Sequence, residues 1–210
     1  LMKHPFIPYG RQYIDEEDIQ AVVEVLKSDF LTTGPKIHEF EKKVADYVGC
    51  KYAVCIGTGT AALHAACYAA NISADDEVIT TPMTFAATSN SILYLGGKPV
   101  FADIDPHTYN IDPLEIEKKI TNKTKAIIAV DFTGQPAELF KIKDLAQRHN
   151  LIFIEDASHS LGAEIMDSKG TWHKIGSIAH MTTFSFHPVK HITTAEGGMV
   201  CTNDPKLYEK

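Results

Sequence analysis

A lysine and a carboxylate, each just beyond an apolar run, are the residues of this chain best placed for chemistry. Phe184-Ser185-Phe186-His187-Pro188-Val189-Lys190 carries the sharper signal. The run reads as a strand that delivers Ser185, followed by a proline-stiffened turn that delivers Lys190. Lysines are ordinarily solvated, but this one is flanked by apolar and small residues, with Gly197-Gly198 close behind. Burial lowers the pKa of such an amine and leaves it nucleophilic. The carboxylate is Asp156, which follows Leu151-Ile152-Phe153-Ile154-Glu155. At a strand's carboxyl end it could hold the protonated ring nitrogen of a cofactor, or simply cap the next turn. Ala157, Ser158 and His159 keep its surroundings small and polar.

Gly57-Thr58-Gly59-Thr60-Ala61-Ala62 is the candidate anion site. Small residues admit a ligand close to the backbone, and a helix N-terminus favours negative charge. The hydroxyls of Thr58 and Thr60 can add hydrogen bonds to phosphate oxygens. The same residues also fit a tight turn with a threonine cap, or the G-x-G-x-x-A turn of a dinucleotide-binding unit. A P-loop is excluded, because the Gly-Lys-Ser/Thr ending is missing. Phe85 follows Thr80-Thr81-Pro82-Met83-Thr84; an aromatic past a strand end could cover a flat ring, although taken alone it reads as core. His187 and His191 have metal-like spacing but no nearby acid or third histidine, so no metal is expected.

The elements that must position these residues alternate along the chain. Asp15-Glu16-Glu17 opens a helix whose Ile19, Val22, Val23 and Leu26 fall at helical spacing. Thr32-Thr33-Gly34-Pro35 is a turn, and a second helix carries Ile37, Phe40, Val44 and Tyr47 on one face. Strands are predicted at 52–56, 78–80, 99–102, 126–130, 151–154, 181–186 and 198–202. Helices are predicted at 61–70, about 84–95, 113–120 and 139–149, the third opened by Asp112 as N-cap with Pro113 in the first turn. Apolar strands alternating with amphipathic helices imply an α/β fold with a mostly parallel sheet covered on both faces. Ligands in such sheets bind beyond the strands' carboxyl ends, where the polar clusters after Ile56, Thr80, Ile154 and Phe186 lie.

Composition narrows the class. The 210 residues are 44% hydrophobic and 22% charged, ordinary for a globular protein that needs no disulfide staples. The four cysteines (Cys50, Cys55, Cys67, Cys201) are scattered, which suggests a reduced, cytoplasmic protein. A formal charge of −7 without a basic stripe argues against nucleic acid as a partner. No apolar run approaches a membrane span, and residues 1–11 lack a signal-peptide core. The chain stops at Lys210 just as a helix opens after Asn203-Asp204-Pro205, which reads as a truncation.

Taken together, these stretches resemble the DegT/StrS-type nucleotide-sugar aminotransferases, which depend on pyridoxal 5'-phosphate (PLP). The resemblance runs in order through Leu31-Thr32-Thr33-Gly34-Pro35, Gly57 to Leu63, Thr81 to Thr88, Gly134-Gln135-Pro136, Glu155 to His159, and Phe184 to Gly198. It implies the aspartate-aminotransferase-like type I fold, with a seven-stranded, mostly parallel sheet and helices on both faces. Residues 1–35 would form an N-terminal segment and helix with a substrate-binding turn. Residues 36–210 would form the PLP-binding large domain, cut short at its C-terminal end, with the small C-terminal domain absent. Relatives are about twice as long, by that resemblance, and are homodimers with a shared active site.

Carried over by position, the resemblance makes Lys190 the cofactor-linked catalytic lysine and Asp156 the partner of the pyridine nitrogen. Phe85 would stack on the ring, and Thr58, Gly59, Thr60 and Ser185 would bind the phosphate. His159 stands where many relatives have glutamine, near the ring hydroxyl; histidine can also donate there. Ile7 to Gln12, Phe30 to Pro35 and Phe186 to Thr194 are most similar to the pseudaminic-acid branch of the family. That similarity implies a UDP-linked 4-keto-6-deoxy amino sugar aminated at C4, L-glutamate as donor, and substrate contacts from Tyr9, Asp29, Phe30, Leu31, Thr32 and His187. Two rival readings remain open: a nicotinamide-dependent sugar-nucleotide dehydrogenase built on the G-x-G-x-x-A turn, and a catalytically inactive regulatory protein of PLP fold.

Overall fold

The structure is a computed structural model that describes residues 6–8 and 10–210. Its centre is a seven-stranded sheet made from the apolar runs: β1 (Tyr52–Ile56), β2 (Glu77–Thr80), β3 (Lys98–Phe101), β4 (Thr124–Val130), β5 (Ile152–Asp156), β8 (Met181–Ser185) and β9 (Gly198–Thr202). Their order across the sheet is β1-β9-β8-β5-β4-β2-β3. From β8 to β3 every neighbouring pair is parallel, whereas β9 runs antiparallel to both β8 and β1. β4, β5, β8 and β9 are buried on both faces, which is why they read as continuous apolar runs rather than alternating ones.

Helices cover both faces. Val44, Ala45 and Val48 of α2 (Pro35–Val48), Ile116 of α5 (Pro113–Lys119) and Leu139, Ile142, Leu145 and Ala146 of α6 (Leu139–Arg148) pack one side with Phe153, Ala157 and Phe184. Ala62, Leu63, Ala66 and Cys67 of α3 (Gly59–Ala69) and Ile92 of α4 (Ala87–Leu93) pack the other with Ile154 and Met181. Successive residues of a strand point to opposite faces, so Glu155 and Asp156 face different layers. The local signals behave as the residues require: Asp112 caps α5 through the Leu114 N–H, and Gly49 ends α2 in the left-handed region at φ 77°.

Three features depart from the expectations. The helix predicted from about Thr84 starts at Ala87, because the preceding residues form a turn: the Thr81 hydroxyl accepts from Met83 N, and Thr84 and Thr88 share a 2.8 Å hydroxyl contact. A two-stranded hairpin, β6 (Glu164–Met166) with β7 (Trp172–Lys174), was not visible in the pattern, since three-residue strands are too short to show a period. The amphipathic helix α1 (Glu16–Leu26) forms as its spacing requires, with Asp15 and Asp18 making a capping box. Among the described residues it buries none of its own side chains, and Ile19, Val22 and Leu26 stay exposed. A short final helix, α7 (Pro205–Tyr208), follows β9.

The antiparallel strand β9 is the tightest junction in the sheet. Gly198 pairs with both Ile56 and Ser185, and a Cβ there would run into the Thr58 carbonyl and lie 2.8 Å from Gly59 N. Only a glycine lets β9 slip under the start of α3. Gly198→Ala is therefore expected to destabilise the protein by about 1–3 kcal/mol, the usual cost of overpacking. Denaturant unfolding checks this; an unchanged midpoint would mean that the α3 start yields freely.

Candidate active site

β1, β2, β5 and β8 end along one edge of the sheet, and β9 begins there. At the β1–α3 junction Thr58 caps the helix, its Oγ1 accepting from Ala61 N at 3.0 Å. Its own O–H stays available to donate. The N–H groups of Gly59 and Thr60, first in the helix, have no acceptor within it. Gly59 is buried, and a Cβ there would stand 2.7 Å from Ser185 Cβ and 3.0 Å from its Oγ. The Ser185 hydroxyl at the end of β8 therefore lies over the same helix start. Hydroxyls and free amides converge where the helix dipole favours an anion.

Asp156 ends β5 and is buried, 4% exposed. Its Oδ2 accepts from the Thr88 hydroxyl at 2.8 Å, and its Oδ1 accepts from the Ser158 hydroxyl at 2.6 Å and from Ser158 N at 3.3 Å. These bonds fix the carboxylate's orientation. They also tie β5 to α4, whose first turn begins when Thr88 N donates to the Phe85 carbonyl. Phe85 itself is 76% exposed, so the core reading of that residue is wrong: the turn at 81–86 lifts its ring away from the packed layer. An aromatic so placed has a face to offer a flat ligand.

Lys190 sits in a loop closed at its base. Phe186 N donates to the Gly197 carbonyl, and Thr194 N and the Thr193 hydroxyl donate to the Phe186 carbonyl. The Phe186 side chain is fully buried and meets the Phe40 ring edge-on, centroids 5.1 Å apart. Burial lowers the Lys190 pKa below the usual lysine value, while the nearby Asp156 carboxylate pulls the other way. His159 is half-buried, and its pKa is lowered by burial and then by the charges of Lys190 and His191, against a raising effect from Asp156. Lys190, Asp156 and His159 thus share one electrostatic neighbourhood.

Several supporting residues had no role assigned from the sequence. Thr88 and Ser158, which hold Asp156, lay within the stretches that carried the resemblance but without a role of their own. Asn110, 3% exposed, clamps the loop after β4: its side-chain amide donates to the carbonyls of Gln135 and Pro136, and its Oδ1 accepts from Phe132 N. Gly134 in that loop has φ 92°, and a Cβ there would lie 2.7 Å from the His159 carbonyl. The Gly134-Gln135-Pro136 stretch could have hinted at this close approach. Nothing in the sequence singled out Asn110.

The other expected contacts divide. Gly10 lies against Val189, 3.4 Å from the position of an added Cβ to Val189 Cγ1, which brings the N-terminal segment to the lysine loop; Tyr9 lies outside the described residues. His187 is exposed, and its carbonyl accepts from Lys190 N. Asp29, Phe30, Leu31 and Thr32 form the exposed turn before α2, and among the described residues no hydrogen bond joins them to Lys190, Asp156 or Ser185. The dinucleotide reading fails on topology. β1 is an edge strand whose sole neighbour is antiparallel β9, whereas the dinucleotide turn belongs to a βαβ unit of parallel neighbours. Among the described residues there is no group of three His, Cys, Asp or Glu side chains able to hold a metal, and no helix is long and apolar enough to cross a membrane.

The convergent groups suit one kind of ligand: an anion at the α3 start, a ring with a basic nitrogen at Asp156, and an electrophilic carbon within reach of the Lys190 amine. Pyridoxal phosphate has all three.

Known proteins resemble this chain over nearly its whole length. The UDP-4-amino-4,6-dideoxy-N-acetyl-beta-L-altrosamine transaminase of Campylobacter jejuni is 44% identical over 207 residues, 97% of this chain and 53% of its own length. The Helicobacter pylori PseC structure, named as an aminotransferase of pseudoaminic acid biosynthesis, superposes with a TM-score of 0.88 at 41% identity, covering 96% of this chain and 53% of that one. A Streptococcus pneumoniae protein in what is called its PMP form superposes with a TM-score of 0.90 at 32% identity, over 97% of this chain and 55% of its own. The chain spans about half the length of the curated relatives it matches. With a family profile matching residues 12–210, the chain belongs to the DegT/DnrJ/EryC1/StrS aminotransferase family.

Proposed function

We propose that this chain is the cofactor-carrying part of a PLP-dependent aminotransferase that converts the C4 keto group of a UDP-linked 4-keto-6-deoxy amino sugar to an amine, with L-glutamate as donor. The observation that carries the reading is the meeting of Lys190, Asp156 and His159 in one neighbourhood, beside an anion cradle at Thr58, Gly59, Thr60 and Ser185. The names of the Campylobacter and Helicobacter relatives support the pseudaminic-acid sugar, as does the sequence from Phe186 to Thr194.

Bound PLP supplies an aldehyde that takes up amines and a ring that accepts the electrons released at the donor's α-carbon. The chain supplies the rest. Thr58, Gly59, Thr60 and Ser185 hold the phosphate. Phe85 covers the ring, and His159 donates toward the ring hydroxyl. Asp156 keeps the ring nitrogen protonated through charge and hydrogen bonding. Lys190 Nζ, its pKa lowered by burial, is the nucleophile. Its free amine would accept the α-proton of glutamate and later deliver a proton at sugar C4. Tyr9, the turn at 29–32 and His187 contact the sugar nucleotide. The protein works as a cytoplasmic homodimer with a shared site, residues 1–35 serving the substrate and 36–210 the cofactor. The exposed apolar stripe of α1 fits such an assembly, since a face of this kind gains by being covered.

Borohydride reduction after incubation with PLP, followed by peptide mass spectrometry, should find one modified lysine, Lys190. Selective labelling of another lysine in a protein that turns over glutamate would sink the assignment. Lys190→Ala should lower the glutamate half-reaction by about 10²–10⁴-fold, the range of a lost acid–base group. Asp156→Asn preserves the acceptor for Thr88 but removes the charge. Loss of a neighbouring charge moves a pKa by about 1–3 units, so stopped-flow rates should fall about 10- to 1000-fold with little loss of PLP affinity. A wild-type rate would take Asp156 out of its role.

A further inference from the structure

Directly behind Asp156, on the opposite face of β5, two more carboxyls are buried that the proposed chemistry does not use. Glu155 and Asp131 are each 0% exposed. β4 and β5 run parallel with Ala129 opposite Glu155, so Asp131, two residues on, shares the face of Glu155 and lies diagonal to it. Asp131 is a hub. Its Oδ1 accepts from Ala137 N at 2.9 Å, its Oδ2 accepts from the Ser160 hydroxyl at 2.6 Å, and its own N–H donates to the Asp156 carbonyl at 3.1 Å. Glu155 Oε2 accepts from the Thr182 hydroxyl at 2.7 Å. Glu155 Oε1 has no donor, although it is fully buried.

A buried carboxylate oxygen without a donor is costly, and two adjacent buried anions are costlier. One proton removes both penalties. Placed on Glu155 it turns the orphaned acceptor into a donor, and the register offers it Asp131, whose two oxygens are already held as an anion's would be. We propose that Glu155 and Asp131 share a single proton carried by Glu155, and that this neutralised pair positions the Asp156–Ser160 turn beneath the cofactor. The groups facing Glu155 agree. Burial and the charges of Asp131 and Asp156 push its pKa well above the usual carboxylate range, against the Thr182 hydrogen bond; Cys201 on β9 is the other titratable neighbour. Asp131 is also raised, to about 6, with burial the main cause and its Ser160 and Ala137 donors opposing it. Both directions favour a proton held between the two carboxyls.

The pair acts through structure. Asp131 joins the loop after β4 to both ends of the Asp156–Ser160 turn. Deprotonating Glu155 would set two anions against each other where that loop already touches the His159 carbonyl through Gly134. Glu155 and Asp131 are thus positioning residues. The shared proton rests on the burial, the register and the unpartnered Glu155 oxygen, whereas the consequence for the cofactor rests on the role proposed for Asp156.

Glu155→Gln is the decisive variant, because a neutral amide reproduces a protonated carboxyl: its N–H₂ can donate to Asp131 and its oxygen accept from Thr182. A carboxyl whose folded pKa lies above its unfolded value contributes stability that is full below the unfolded pKa and lost as pH rises through the folded one. In the PLP-loaded protein, wild type should therefore lose Tm as pH rises above the ordinary carboxylate range. Glu155→Gln should flatten that limb, stay within about 4 °C of wild type at pH 7, and keep the wild-type absorption spectrum of bound PLP. Glu155→Ala should fall by more at pH 7 and shift that spectrum. The infrared band of a protonated carboxylic acid, present in wild type, should vanish in Glu155→Gln. An unchanged pH limb in the glutamine variant, a band that persists, or a glutamine variant as damaged as the alanine variant would each overturn the shared proton. If wild type binds no PLP at Lys190, the unfolding and infrared results still decide the pair, and it is the cofactor assignment that falls.

Discussion

Asp156 sets the terms for the rest of the molecule. Only 4% of it is exposed, and the donors that reach its carboxylate, from Thr88 and Ser158, are neutral. A buried charge in such a place is tolerated only when paired. The cation at hand is Lys190, whose amine is itself partly buried and feels Asp156 as a favourable charge. On the proposed reading, a ligand bringing a cationic ring nitrogen to Asp156 and an electrophile to Lys190 would answer both groups at once.

The sheet's topology brings these groups together. Parallel strands β2, β5 and β8 present their carboxyl ends at one edge, and an all-parallel sheet would stop there. β9 instead enters that edge from the opposite direction, carrying the end of the lysine loop with it. Gly198 of β9 is squeezed against the Thr58 carbonyl on one side and paired with Ser185 on the other. The phosphate-type cradle and the lysine loop are thus parts of one hydrogen-bonded unit. The same antiparallel pairing leaves β1 at the sheet's edge and removes the parallel neighbour that a dinucleotide turn needs, although the glycine spacing alone permitted either reading.

The range of each interaction decided whether the sequence revealed it. β4, β5, β8 and β9 were legible because strands buried on both faces are written as unbroken apolar runs, as in Ala126–Val130. Lys190 and Asp156 were legible because each stands at the end of such a run. Caps such as Asp112 were legible because their partners lie two or three residues away. The hairpin at 164–174 was hidden by its short strands, and the late start of α4 by the Met83 N bond to the Thr81 hydroxyl and the Thr84–Thr88 hydroxyl contact, which override helix spacing. Asn110 was invisible because its partners are 22 to 26 residues distant. Phe85 shows the limit most plainly, because a lone phenylalanine carries no mark of whether the chain turns it inward or lifts it out.

Glu155 and Asp156 are neighbours in sequence and opposites in environment. The pleat sends one toward α6 and the other toward α4, so one peptide unit carries a carboxyl into each layer. Were both ionised and unsupported, the end of β5 would concentrate more negative charge than a strand buried on both faces can bear. The structure separates the two solutions. Toward α4, Asp156 is given hydroxyl donors and a nearby amine, and stays open to a ligand. Toward α6, the space is closed, no ligand can enter, and the remaining remedy is a proton held against Asp131. The backbone bond from Asp131 N to the Asp156 carbonyl then couples the two remedies. What neutralises the closed side determines where the carboxylate of the open side points.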